Sequence, residues 1–138
     1  MDVKRINDHV SVSSQISPED MPALKAAGFS TVINNRPDGE APGQASSATM
    51  QAAAAAAGLG YHFIPLGREG VSPEMIEETK AVLEGSTGSV FCYCRSGTRS
   101  TTLWALSQAG KMPAQEIVSA AAHAGYDMSH LLGHLSQK

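Results

Sequence analysis

Short apolar runs alternate with helix-patterned segments along this chain, and Ser-Pro pairs or glycines mark most of the junctions. Ser17-Pro18-Glu19-Asp20 has the form of a helix start. Ser17 stands at the N-cap, Pro18 at the first helical position, and Asp20 where a capping box needs its acceptor. That helix is expected to run to about Ala27, with Gly28 as its stop. Ser72-Pro73-Glu74 repeats the start signal for a helix ending near Gly85. Val10 to Ser13, Phe29 to Asn34, Tyr61 to Leu66 and Val90 to Tyr93 read as strands. An alanine-rich helix is expected from about Ser46 to Ala57, and another after the last strand through Ala109. Two more, about Pro113 to Ala124 and Ser129 to Leu135, close the chain. Strands and helices in alternation with short loops imply an α/β fold, with a short, mostly parallel sheet between helical layers. In such sheets ligands bind beyond the carboxyl ends of the strands.

The 138 residues are expected to form one domain, with no linker or internal repeat, and a chain of this size buries roughly two-thirds of its surface. Apolar residues make up 42 % and charged residues 17 %, which excludes wholesale disorder. A net charge of −3 argues against a dedicated nucleic-acid or anionic-membrane binder, and no apolar run is long enough to span a bilayer. Met1 to Asp8 lacks the apolar stretch of a secretory signal, so the cytoplasm is the expected compartment. The two cysteines, Cys92 and Cys94, are two residues apart and make neither a disulfide scaffold nor a zinc pair.

The chemistry concentrates after Tyr93. Cys94-Arg95-Ser96-Gly97-Thr98-Arg99-Ser100 leaves a buried strand and enters a helix. Backbone N–H groups of such a loop converge on one point, and the helix N-terminus adds about half a positive charge there. Arg99, helped by Arg95, adds more, so the loop suits a tetrahedral oxyanion. The same field stabilises a thiolate, the reactive form of cysteine. Cys94 is therefore the candidate nucleophile and Arg99 its anion-holding partner, with Arg95, Ser96, Gly97, Thr98 and Ser100 as further anion-binding positions. The alternative reading of Cys94 is a small core residue, and of the whole loop an inert anion-binding module.

Tyr93 to Ser100 resembles the active loop of rhodanese sulfurtransferases and, less closely, the signature of cysteine-dependent tyrosine and dual-specificity phosphatases. The phosphatase signature has five residues between Cys and Arg where this chain has four, and usually His where this chain has Tyr93. The remainder is similar to dual-specificity phosphatases in Gln15 to Asp20, Gly28 to Glu40 and Ala56 to Tyr61. Together with the Cys94 loop, Trp104 and Ala124-Gly125-Tyr126-Asp127, these segments resemble the phosphatase-like domain of bacterial β-lactamase-hydrolase-like proteins, over roughly residues 10 to 135. The resemblance implies a protein-tyrosine-phosphatase-like three-layer fold and no metal or organic cofactor.

Phosphate and sulfur chemistry ask for different residues. A phosphate monoester expels an alkoxide or phenoxide, which a general acid must protonate. In dual-specificity phosphatases that acid is an Asp on a separate loop, and the matching stretch here, Pro65 to Gly70, has none. Glu69 and, more distantly, Asp38 are the substitutes, and Arg36 is a further candidate for the pocket. Thiosulfate expels sulfite, which needs no acid. The short loop, Tyr93 and the missing Asp put rhodanese-like transfer first: a Cys94 persulfide is formed and passed to a thiol acceptor such as glutathione. The alternative is phosphate ester hydrolysis through a Cys94 phosphocysteine. On either reading the substrate is a small anion: thiosulfate, a persulfide or a phosphate ester. Cys92 faces the same side of its strand as Cys94 and is a candidate resolving thiol, with core packing as the plainer role. Arg36 would otherwise pair with Asp38 or Glu40, and Ser100 is placed to hydrogen-bond the Cys94 sulfur. His130 and His134, one helical turn apart, lack a third ligand, so no metal site is expected.

Overall fold

A computed structural model describes residues 1–136. Its strands are β1 (Val3–Arg5), β2 (Val10–Ser13), β3 (Phe29–Asn34), β4 (Gly60–Phe63) and β5 (Ser89–Tyr93). Its helices are α1 (Met21–Ala26), α2 (Ser47–Ala56), α3 (Pro73–Gly85), α4 (Thr98–Ser107), α5 (Ala114–His123) and α6 (Leu132–Leu135). Short 3₁₀ turns precede α1 at Pro18–Asp20 and α6 at Ser129–Leu131. The sheet order is β1-β2-β5-β3-β4, and only the β1–β2 pair is antiparallel.

β5 lies at the centre, with Cys92 level with Val12 on one side and Ile33 on the other. Alternation along β5 divides the core. Val90 and Cys92 join Val10, Val12 and Ile33 against Leu83 of α3, Leu103 and Trp104 of α4, and Ile117 and Ala121 of α5. Phe91 and Tyr93 join Val32 against Met21 and Leu24 of α1 and Met50 and Ala54 of α2. The result is three layers: α1 and α2, the sheet, then α3 to α6.

The expected helix starts are present. Ser17 and Asp20 form the capping box, with the Ser17 backbone N–H donating to Asp20 Oδ2 at 2.8 Å. Ser46 and Ser72 cap α2 and α3 by accepting from the N–H groups of Thr49 and Met75. Three boundaries differ from expectation. β1 was not anticipated, because its three residues are all exposed and carry no apolar alternation. β4 stops at Phe63 instead of Leu66: the chain turns over the end of β3, where the Ile64 and Leu66 N–H groups donate to Asn34 and Asn35 carbonyls at 2.9 and 3.0 Å. The last helix is split into a 3₁₀ turn and the single-turn α6.

Trp104 is 1 % exposed on the helix behind the Cys94 loop. Trp104→Ala is expected to cost about 3–5 kcal/mol in urea unfolding. A loss below about 1 kcal/mol would show that this helix does not depend on its buried face.

Candidate active site

The parallel strands β2, β3, β4 and β5 end along one edge, and their loops converge there. Two backbone bonds tie the edge together. Cys94 N–H donates to Ser13 O at 3.3 Å, and Asn35 N–H donates to Tyr93 O at 2.8 Å. Cys94 therefore stands at the carboxyl end of the central strand, fully buried. Four residues later the chain is helical, and the connection needs Gly97 at φ +93° as the N-cap of α4. That left-handed position is strained for any residue with a Cβ.

The Ser96–Gly97 peptide unit has a partner on each side. Its N–H donates to Cys94 Sγ at 3.1 Å, and its carbonyl accepts from the Tyr126 hydroxyl at 3.0 Å. The N–H and C=O of a trans peptide point in opposite directions. Holding the carbonyl outward on Tyr126 therefore aims the N–H inward at the sulfur. A Cβ on Gly97 would lie 2.1 Å from the Tyr126 oxygen, so the glycine is required by contact as well as by φ.

Arg99, on the first turn of α4, donates from Nη1 to Glu40 Oε2 and to the Leu66 carbonyl, and from Nη2 to Glu40 Oε1, each at 2.8 Å. Arg36 donates from Nε to the same Oε1 at 2.9 Å and from Nη1 to Gln15 Oε1 at 3.0 Å. Gln15 N–H reaches the Arg95 carbonyl at 3.4 Å. Hydrogen bonds from Arg99 and then Arg36, with their positive charges, hold the Glu40 carboxyl down to about 2 against the opposing effect of burial. Glu40 is thus a fixed anion at neutral pH and holds no proton to donate. Arg99 is held more firmly protonated, first by Glu40 and in smaller measure by Cys94. A cavity of about 450 Å³ opens here, lined by Glu40, Arg68, Arg95 and Arg99.

Of the sequence candidates, Arg99 and Arg95 line this cavity, while Cys94, fully buried, is bonded to the Gly97 N–H within the loop and is not on the cavity wall. Ser96 and Thr98 are exposed on the loop and share a hydroxyl contact at 3.3 Å. Ser100 is buried, but its hydroxyl has no hydrogen-bond partner, so the expected contact with Cys94 Sγ is not made in this structure. Arg36 is buried and turned to Glu40 and Gln15; it does not line the cavity. Asp38 Oδ1 accepts from the Ser47 N–H at 2.7 Å, at the start of α2. Glu69 is exposed and absent from the cavity wall. Cys92 is 3 % exposed within the core, and burial, then the neighbouring Cys94, pushes its thiol up to about 12. Among the described residues no three His, Cys, Asp or Glu side chains could hold a metal ion.

Gln15, Arg68 and Tyr126 were not singled out from the sequence as site residues, and Glu40 appeared only as a salt-bridge option for Arg36. Tyr126 follows a helix-stop glycine some thirty residues from Cys94, and only the tertiary fold reveals its contact with the loop.

Residues 2–111 match the family described as beta-lactamase hydrolase-like protein, phosphatase-like domain. The chain belongs to that family. The beta-lactamase hydrolase-like protein of Agrobacterium fabrum is 35 % identical over 130 residues, covering 93 % of this chain and 30 % of that protein. Its counterpart in Xylella fastidiosa strain Temecula1 is 34 % identical over 141 residues, covering 100 % and 32 %. The chain thus spans about a third of the length of these relatives. Among solved structures, a candidate phosphatase of Neisseria meningitidis superposes with a TM-score of 0.83 at 28 % identity, over 99 % of this chain and 98 % of that one. Tk-PTP in its active form superposes at 0.71 and 18 % identity, over 99 % and 97 %. The fold is therefore the three-layer α/β fold of protein tyrosine phosphatases. The names these relatives carry favour the phosphatase alternative over the sulfur reading placed first from the sequence.

Two outcomes are expected. Tyr126→Phe releases the Ser96 carbonyl and is expected to slow iodoacetamide alkylation of Cys94 at neutral pH by about fivefold, the worth of one hydrogen bond. An unchanged rate would show that the loop holds its shape without the phenol. Glu40→Gln is expected to cost about 1 kcal/mol at pH 7, discounted for the partial exposure of the pair. Because the folded carboxyl titrates below its ordinary 4.5, that gap is complete above pH 4.5 and closes as pH falls toward about 2. A gap that persists unchanged to pH 2 would contradict the ion pairing.

Proposed function

We propose that the domain is a cysteine-thiolate group-transfer enzyme and that the group it transfers is sulfur. The observation that carries this reading is the disposition of Asp38, Glu40 and Glu69, the acidic side chains of the loops after β3 and β4. Glu40 is held ionised by two arginines, Asp38 is bonded to the start of α2, and Glu69 points to solvent outside the cavity. None is placed to protonate a leaving group, so the site suits a substrate that departs as a stable anion.

On this reading the Cys94 thiolate attacks the outer sulfur of thiosulfate. The S–S bond breaks, sulfite leaves with the electron pair, and Cys94 carries the persulfide. An acceptor thiolate then attacks the outer sulfur, leaves as the new persulfide and returns Cys94 as thiolate. No proton is required at either step. Arg99 and the loop N–H groups hold the sulfonate oxygens, and the Gly97 N–H stabilises the Cys94 sulfur before attack and as it leaves.

A second reading is phosphate ester hydrolysis, supported by the family, by the Neisseria structure and by the fold. Among structural neighbours, a Cys-to-Ser variant of Pseudomonas aeruginosa TpbA binds pTyr; it is 14 % identical, with a TM-score of 0.62 over 99 % of this chain and 91 % of that one. Cys94 would attack phosphorus and the ester oxygen would leave with the electron pair. Without a proton donor this path is confined to esters of acidic alcohols and phenols.

One preparation, with Cys94→Ser as the blank, is given thiosulfate with cyanide in one arm and aryl phosphates of graded leaving-group acidity in the other. Thiocyanate formation lost in Cys94→Ser is the expected result. Phosphate release alone, at rates steep in leaving-group acidity, would establish the second reading. Phosphate release insensitive to the leaving group would mean that a proton donor exists and would remove the basis of the first.

A further inference from the structure

We propose that β4 is an interaction edge for a second copy of this chain. Two β4 strands pair antiparallel around a twofold axis at His62 and join two five-stranded sheets into one. The paired strands run in opposite directions, so the two Cys94 loops open at opposite ends, and the interface is independent of the chemistry at either.

The two edges of the sheet are built differently. At one end β1 is Val3-Lys4-Arg5, with Lys4 paired to Asp2 and Arg5 to Asp8. Charges of that kind on an edge strand discourage further pairing. At the other end β4 is Gly60-Tyr61-His62-Phe63, which holds no Lys, Arg, Asp, Glu or Pro. Phe63 is 37 % exposed, and Gly60 and His62 are exposed with it. The Ile64 N–H turns inward and donates to the Asn34 carbonyl at 2.9 Å. Backbone direction alternates along a strand, so His62 and Gly60 also face β3 in the parallel ladder, and the N–H and C=O groups of Tyr61 and Phe63 face outward. Among the described residues no other element bonds them.

A second β4 meets these groups in one register. With the axis at His62, Tyr61 stands opposite Phe63 of the second copy, and both residues of both strands exchange N–H···O=C bonds. An axis at Tyr61 would need the Leu59 N–H, which is already spent on the Ala54 carbonyl at 2.9 Å. An axis at Phe63 would set Tyr61 opposite Pro65, which has no N–H to give. An axis between residues would set an outward-facing residue opposite an inward-facing one. In the register that remains, the exposed Phe63 ring gains a cross-strand aromatic partner in Tyr61 of the second copy. The flanking charges agree. Lys25 is held on the Gly58 carbonyl at 3.3 Å, at the amino end of the edge. Antiparallel pairing sets that end beside the turn of the second copy that carries the exposed Glu69. Among the described residues neither Lys25 nor Glu69 has an ion partner in its own chain. An edge this short makes an interface smaller than the about 1,200 Å² of standard complexes, so the dimer is weak and forms as concentration rises.

The test is sedimentation velocity of the whole chain from about 1 µM to about 1 mM, with amide hydrogen exchange at both ends of the range. Monomer is expected to pass to dimer, and the Tyr61 and Phe63 amides to slow as it does. His62→Glu and His62→Lys each set like charges across the axis and are expected to weaken the dimer by about tenfold or more. Their equimolar mixture sets opposite charges there and is expected to recover it. Phe63→Pro removes only an outward donor, so the dimer is expected to be lost with circular dichroism unchanged. A monomer at every concentration, with both amides exchanging freely, would overturn the proposal and leave the edge to a strand from another protein. A dimer indifferent to the His62 and Phe63 substitutions would lie on another face and overturn it equally. Should the substituted chains lose their circular dichroism, the amides of the unsubstituted chain decide alone: exchange at Tyr61 and Phe63 that does not slow with concentration overturns the pairing.

Discussion

The carboxylate of Glu40 holds the cationic end of the site together. Arg36 is buried, and a buried guanidinium is tolerated only where its donors are met. Glu40 Oε1 and Gln15 Oε1 meet them. The same carboxylate takes both terminal nitrogens of Arg99, which sets that guanidinium at the mouth of the Cys94 loop. Through Gln15 the chain of contacts returns to the loop at the Arg95 carbonyl. Segments following β2, β3 and β5 are thereby fixed to one another by side chains, and Leu66 adds the segment after β4. Four loops that the parallel sheet only brings near each other become one rigid rim.

The loop itself is organised by a single peptide unit. Its N–H is spent on the Cys94 sulfur and its carbonyl on Tyr126. Neither bond alone would fix the plane, since each constrains one end of the dipole. Together they leave only one orientation, and Gly97 is the residue whose absent side chain leaves room for it. The helix dipole of α4 then reinforces an orientation that the phenol has already chosen. The shape of the Cys94 loop therefore draws on a residue outside the 2–111 span of the family match.

Much of this architecture was legible in the sequence because its determinants are local. The Ser17–Asp20 capping box, the Ser72-Pro73 start and the Gly28 and Gly58 stops are decided within a few residues, and the structure places them where the pattern does. The strand-to-helix loop that carries Cys94 was legible for the same reason: strand end, cysteine, glycine and helix start are contiguous. The rim was not. Whether Arg36 would face the cavity, Asp38 or Glu40 is settled by how the loops after β2, β3 and β5 meet, and that is a tertiary property. β1 was illegible because an exposed edge strand of three residues needs no apolar alternation to pair with β2. Ser100 illustrates the converse error. A position one residue past Arg99 looks close to the sulfur, but on a helix each step turns the side chain by a hundred degrees, and its hydroxyl finds no partner.

The tension between fold and site has a physical resolution. On either proposed reading, the sheet, the central cysteine strand and the loop after it hold a tetrahedral anion against a thiolate, and such a frame is indifferent to whether the anion is centred on phosphorus or sulfur. What separates the two chemistries is the fate of the leaving group. A proton donor must stand opposite the nucleophile for an alkoxide to depart, whereas sulfite departs unaided. In the loop after β4, where a donor would stand in chain order, the chain carries Arg68 and an exposed Glu69, and the carboxylate bonded to Arg99 is held in its ionised form. Likeness to the phosphatases accounts for the frame; on the proposed reading, the charge state of Glu40 and the cationic wall beside it limit the reactions that frame can carry.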